Sequence, residues 1–250
     1  MNGLSPGLIL LLISTFLIAG LVKGVTGMGL PTVAMGLLGT AMSPVTAAAM
    51  LVVPSFVTNV WQLIAGPAKT RLVRRLWPMM LCILLGTTLG SALLVRADPV
   101  WSSVALGVAL IAYAGYALFS PSLSVPPRME PWLSPIIGIM TGAITGATGV
   151  FVIPAVPYLQ SLRLDRDELV QALGLSFTVS TIALAVGLVL HSAFHVGQMS
   201  LSALAIVPAL VGMWLGQKIR NRISPGGFRL CFLVFLVVLG LDLALRPLLT

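Results

Sequence analysis

The sequence predicts an all-helical polytopic membrane protein made of two inverted repeats of about five helical elements each, every repeat opening on a glycine-broken hairpin. Three observations carry this reading. Of 250 residues, 58% are hydrophobic and only 8% charged, with a mean hydropathy of +1.08, well outside the range of soluble domains. Apolar runs on the order of 20 residues, enough to cross a bilayer as a helix, fill nearly the whole chain and leave no room for a separate soluble module. The stretch Lys23-Gly24-Val25-Thr26-Gly27-Met28-Gly29-Leu30-Pro31 has a later echo in Gly142-Ala143-Ile144-Thr145-Gly146-Ala147-Thr148-Gly149. Each interior glycine costs a helix about 0.5 to 1 kcal/mol relative to alanine, so a break is expected at both places.

Ten apolar elements follow in order. The first, residues 7–22, has no basic residue before it and no small-residue cleavage site, and is expected to be retained. It meets the first break. The second, 29–42, is short for a span. Ser43-Pro44 opens the third, 45–64, where Pro54 is expected to bend the helix. A basic connection with Lys69, Arg71, Arg74 and Arg75 leads to the fourth, 77–95, whose Gly86 and Gly90 suit close helix contact. The turn Arg96-Ala97-Asp98-Pro99 leads to the fifth, 100–119.

Residues 1–122 thus form a first repeat, a proline-rich linker occupies 123–131, and 132–250 form a second. In the second, element six (132–145) meets the second break, and a short element (150–162) carries Pro154 and Pro157. A mixed-charge connection, 163–168, precedes elements eight (169–190), nine (199–217) and ten (228–245). Gly212 and Gly216 in the ninth mirror Gly86 and Gly90 in the fourth.

Charge sets the orientation. If the first two elements of each half form a hairpin, each half has five legs and the halves are inverted, a known transporter plan. The connections around Lys69 to Arg75 and around Lys218, Arg220 and Arg222 then share one side with Arg128, Arg163 and Arg166. The excess of Lys and Arg makes that side cytoplasmic. The net charge of +8 is therefore topological, and nucleic acid is not an expected partner. Whether the short elements span or re-enter is left open by this count. Cys82 and Cys231 lie in apolar sequence and read as buried small hydrophobes.

A helix that begins inside a membrane exposes unpaired N–H groups and the positive end of its dipole, roughly half an elementary charge, which suits an anion. The second and seventh elements are expected to begin this way, at about Gly29 and Gly149. Gly24, Gly27, Gly29, Gly142, Gly146 and Gly149 would let backbone approach a small anionic substrate, and Thr26, Thr145 and Thr148 would offer hydroxyls. The competing reading is that these glycines serve helix packing alone. Lys23 is the only charged side chain in the first 68 residues; it either adds positive charge beside the anion or snorkels to the surface. Asn59 stands out of a polar stripe with Ser55, Thr58 and Gln62, matched in the eighth element by Ser176, Thr178, Ser180 and Thr181. Trp61 reads as packing or as an interfacial belt residue.

His191 and His195 lie four apart near the outer end of the eighth element. They read as a wetted interfacial pair, a metal or proton-relay role being the alternative. Asp165, Asp167 and Glu168 read as loop charges able to cap the eighth helix. No acidic residue sits in the middle of an apolar run, so no carboxylate relay, acid pair or zinc motif can be assembled at depth, and no cofactor is called for. There is no ATP-binding loop. A secondary anion carrier leads, with proton coupling as an open partner. A passive anion channel and, behind it, a membrane-embedded enzyme are the alternatives.

The chain resembles the TauE/SafE family of sulfite exporters and related small-anion transporters. The resemblance rests on Gly20, Gly24, Gly27, Gly29 and Pro31 in the first half and on Gly138, Gly142, Gly146, Gly149 and Pro154 in the second. It departs from the family's consecutive glycines at Met28 and at Thr148-Gly149-Val150-Phe151. The resemblance implies secondary transport of sulfite, sulfonates or other small anions across a bacterial inner membrane.

Overall fold

The computed structural model describes residues 6–119, 124–194, 201–220, 222 and 224–249. Helices follow one another as α1 (Pro6–Thr26), α2 (Leu30–Gly39), α3 (Pro44–Ile64), α4 (Lys69–Arg96), α5 (Pro99–Phe119), α6 (Glu130–Thr148), α7 (Ala155–Ser161), α8 (Arg166–Leu190), α9 (Ile206–Ile219) and α10 (Pro225–Leu249). No strand occurs among the described residues. Among the described residues, seven helical segments are long and apolar enough to cross a membrane: α1, α3, α4, α5, α8, residues 201–219 including α9, and most of α10. The protein is an all-α polytopic membrane protein. At 1.5 Å per residue α2 is about 15 Å long and α7 about 10 Å, against a hydrocarbon core of about 30 Å, so neither spans alone.

Local chemistry explains most boundaries. Ser43 caps α3 by accepting the Thr46 N–H at 3.3 Å, with Pro44 in the first turn, where a missing N–H is harmless. The helix runs on through Pro54. α4 begins eight residues before the expected position 77, at Lys69. Lys and Arg are good helix formers, and their charge does not stop a helix that is leaving the membrane. The second hairpin departs from expectation more. Residues 149–154 are not helical and α7 starts only at Ala155. Pro154 disfavours the helical region for Ile153, and the Val150-Phe151-Val152-Ile153 run is of extended preference.

The main packed pairs are α4 with α6, α1 with α9, α5 with α10, and α3 and α4 with α8. Two of these contacts repeat residue for residue. A Cβ on Gly142 would lie 2.6 Å from the Ile83 carbonyl oxygen and 2.7 Å from the Thr87 nitrogen; one on Gly86 would lie 2.6 Å from the Ile139 oxygen and 3.0 Å from the Ala143 nitrogen. In the other pair, Gly20 meets the Ala209 oxygen and Met213 nitrogen, and Gly212 meets the Leu17 oxygen and Leu21 nitrogen. Both are small-residue seams in which backbone packs on backbone, as membrane helices use in place of a hydrophobic drive.

Charged groups of three connections meet near the start of α4. Arg75 makes a bidentate pair with Glu130 at 2.6 and 2.8 Å, Arg71 pairs with Glu168, and Arg163 donates to Ser124 at 2.9 Å. The connection after α3, the end of the linker and the α7–α8 connection therefore meet, as the charge pattern predicts. Asp165 takes the N-cap position of α8 without a side-chain cap bond. All five tryptophans, Trp61, Trp77, Trp101, Trp132 and Trp214, are more than half exposed. Outward large apolar groups suit a surface facing lipid. Cys231 is exposed and Cys82 half-buried rather than core residues, because lipid gives an apolar side chain no reason to turn inward.

Candidate functional site

The two breaks share one local geometry. α1 ends at Thr26, where Gly27 turns into the left-handed region at φ 80° and donates its N–H to the Lys23 carbonyl at 2.7 Å. α6 ends at Thr148, where Gly149 turns at φ 71° and donates to the Thr145 carbonyl at 2.7 Å. Glycine takes such a conformation without the penalty of a Cβ. The Thr26 hydroxyl accepts the Met28 N–H at 3.2 Å, and the Thr148 hydroxyl accepts the Val150 N–H at 3.2 Å. Each threonine hydroxyl is thus spent on its own turn: Thr26 reaches the Val22 carbonyl at 2.9 Å or that of Met28 at 2.7 Å, and Thr148 the Ile144 carbonyl at 2.7 Å. In this register Lys23 corresponds to Thr145, Thr26 to Thr148 and Gly27 to Gly149.

Gly29, at φ 99°, is the N-cap of α2 and makes no side-chain cap bond. α2 therefore begins inside the protein with its first turn uncapped by any side chain, as expected of the first break. α7 starts six residues beyond Gly149, so the corresponding helix start in the second half is displaced.

Lys23 sits one turn before the end of α1 and is buried, at 2% exposure. It does not snorkel. Its ammonium donates to Thr58 Oγ1 at 3.3 Å and to Asn59 Oδ1 on α3. Asn59, at 0% exposure, in turn donates through Nδ2 to Thr181 Oγ1 on α8 at 3.4 Å. A polar chain thus runs from α1 through α3 to α8, joining elements of both halves. Several hydroxyls close to it in sequence are buried without a partner: Ser55 on α3, Ser176 and Ser180 on α8, and Thr32 in the first turn of α2. Buried polar groups normally find partners; Thr87 and Thr141 on the packed helices α4 and α6 are likewise without one.

The remaining predicted positions divide by role. Gly24 lies against the backbone of α9, 2.9 Å separating its would-be Cβ from the Gly216 Cα. Gly142 and Gly146 lie against α4; a Cβ on Gly146 would be 2.5 Å from the Thr87 carbonyl oxygen. These three set helix approach. Thr145 is buried and donates to the Val150 carbonyl at 3.2 Å. Gly149 faces Met35, whose Cε would lie 2.8 Å from an added Cβ.

Two glutamines add what sequence reasoning missed. Gln62 donates to the carbonyls of Gly27 and Val170, both at 2.8 Å. Gln171 donates to the Leu63 carbonyl at 2.8 Å and accepts the Ala68 N–H at 2.9 Å. The first break, α3 and α8 are therefore clamped together at the charged end. Gln62 was visible in the polar stripe of the third element; Gln171, alone in an apolar run, carried the signal of any intramembrane amide.

His191 ends α8, with Nε2 buried and unpartnered; His195 lies outside the described residues. Among the described residues no three His, Cys, Asp or Glu side chains come together. An open groove of about 470 Å³ between α1 and the 201–211 segment is lined by Leu12, Leu17, Leu204, Pro208 and Val211 and is apolar. It includes none of the predicted site residues.

A family model described as sulfite exporter TauE/SafE matches residues 12–243, covering both breaks, the polar chain and nearly every helix. No curated protein and no solved structure matches the chain. With that match over almost its full length, the chain belongs to the TauE/SafE family of membrane sulfite exporters.

Proposed function

We propose that the protein is a secondary carrier of small anions, sulfite, sulfonates or related sulfur-containing or organic anions, working by alternating access in a bacterial inner membrane. The observation that carries this reading is Lys23: a buried basic side chain held only by neutral oxygens, beside a chain break. Ionisable residues inside a membrane are costly and mark substrate paths. An anion supplies the missing countercharge.

The halves, 1–122 and 132–250, are inverted relative to each other, and one rocks against the other about a site near the midplane. Lys23 and Asn59 hold the anion. Gly27, Gly29 and Gly149 turn the chain, and the uncapped first turn of α2 after Gly29 offers backbone amides to it. Thr26 and Thr148 hold those turns, and Gly24, Gly142 and Gly146 keep the flanking helices close. The reciprocal glycine seams and the matched turns support this arrangement. Nothing in the fold calls for a chemical step, and the protein acts as a carrier, not an enzyme.

The test is uptake of radiolabelled sulfite, methanesulfonate and small carboxylates into proteoliposomes, with and without a pH gradient. Saturable flux, trans-stimulated by unlabelled anion, is expected. Flux that neither saturates nor shows exchange indicates a channel and overturns alternating access; no flux of any of these anions overturns the reading itself.

A further inference from the structure

Among the described residues Lys23 is the one fully buried side chain with a formal charge. Its surroundings are acid-free. α2 and α3 carry no titratable side chain, and α9 contributes only Lys218, stacked 3.9 Å over the Trp214 ring. α8 contributes Arg166, Asp167 and Glu168, all in its first turn, with Glu168 paired to Arg71. Ser55 lies one turn before Asn59 on α3, and Ser180 precedes Thr181, the partner of Asn59; both serine hydroxyls are buried donors with no acceptor. The site thus offers one positive charge and several unspent hydroxyls.

Charge count then decides the guest. A monovalent oxyanion beside the Lys23 ammonium makes a neutral complex, and its remaining oxygens accept from the hydroxyls. A divalent oxyanion leaves one net negative charge buried, which costs several kcal/mol in a dry interior. Resting on the carrier reading above, we propose that the Lys23 site selects monovalent oxyanions and rejects divalent ones.

The experiment compares radiolabelled methanesulfonate, sulfite and sulfate in proteoliposomes of the full chain. Methanesulfonate and sulfate keep their charge across the pH range used, while sulfite passes from monovalent to divalent around neutrality. Wild-type protein is expected to carry methanesulfonate at least about a hundredfold faster than sulfate. The ratio of sulfite to methanesulfonate flux is expected to fall as pH rises. Lys23→Arg should keep this preference, and Lys23→Gln should abolish methanesulfonate flux. Sulfate carried by wild-type protein as fast as methanesulfonate overturns the proposal without any variant being needed. The same holds if Lys23→Gln inserts and keeps the wild-type ratio. Absence of all flux in wild type would instead sink the carrier reading.

Discussion

At Asn59 one amide does two things: it accepts from Lys23 and donates to Thr181, so it holds the amine in place without neutralising it. A carboxylate there would compensate the charge permanently and leave nothing for an anion. Asn59→Asp is therefore expected to insert and to keep or raise Tm, while sulfite and methanesulfonate flux fall at least about tenfold, since a closed internal ion pair outcompetes a transient guest. Fluorescence-detected size exclusion and proteoliposome uptake read the two effects separately; undiminished flux would remove Asn59 from the site. Both Lys23 and Asn59 were legible from sequence, because charge and amide are rare at membrane depth. Whether Lys23 reaches inward or snorkels out was not legible. That depends on Thr58 and Asn59, some 35 residues away, turning their oxygens toward it.

Among the elements, glycines that look alike in the sequence do different work. Gly142 packs on the Ile83 carbonyl at a distance no side chain can share, whereas Gly115 in α5 has open space around it. Gly142→Leu should cost at least the 1 to 3 kcal/mol typical of overpacking, about enough to lower Tm by several degrees or prevent assembly. Gly115→Ala should be neutral or slightly stabilising. Gly27→Ala is of a third kind: nothing crowds its Cβ closer than 3.5 Å from Val170, yet φ 80° is strained for alanine by about 1 to 2 kcal/mol. It should destabilise modestly without disturbing α1 against α9. Thermal melts of the three variants check the ordering; Gly115→Ala more damaging than Gly142→Leu would refute the assignment of the seams. Glycine content announced the breaks and the seams together. Telling turn glycines from seam glycines needed the backbone angles and the neighbouring helix, neither of which a single chain position encodes.

For the whole molecule, the glutamine clamp is confined to one end. Gln62 and Gln171 each reach carbonyls of the facing helix at the end where Arg71, Arg75, Glu130 and Glu168 gather. Under alternating access, breaking this clamp should favour opening there. In Gln171→Leu, a cysteine at Leu63 should be labelled by a membrane-impermeant maleimide, added on the side of that end, several-fold faster than in the parent. Equal labelling would mean that the two amides tie helices together without gating.

By itself the sequence determined what composition and periodicity can encode: an all-helical membrane protein, the places where helices must break, and the gathering of basic connections at one end. Hydropathy and glycine content act locally, and charge in short loops acts through the membrane as a whole, so each can be read without knowing neighbours in space. The tertiary structure alone decided that Lys23 is buried, that α1 seats on α9 as α6 seats on α4, and that α7 starts only after a non-helical stretch. It also joined Gln62 and Gln171 to one another's helices. Those are pairings between positions distant along the chain, and their free energy depends on which backbone carbonyl a side chain meets when both halves are folded together.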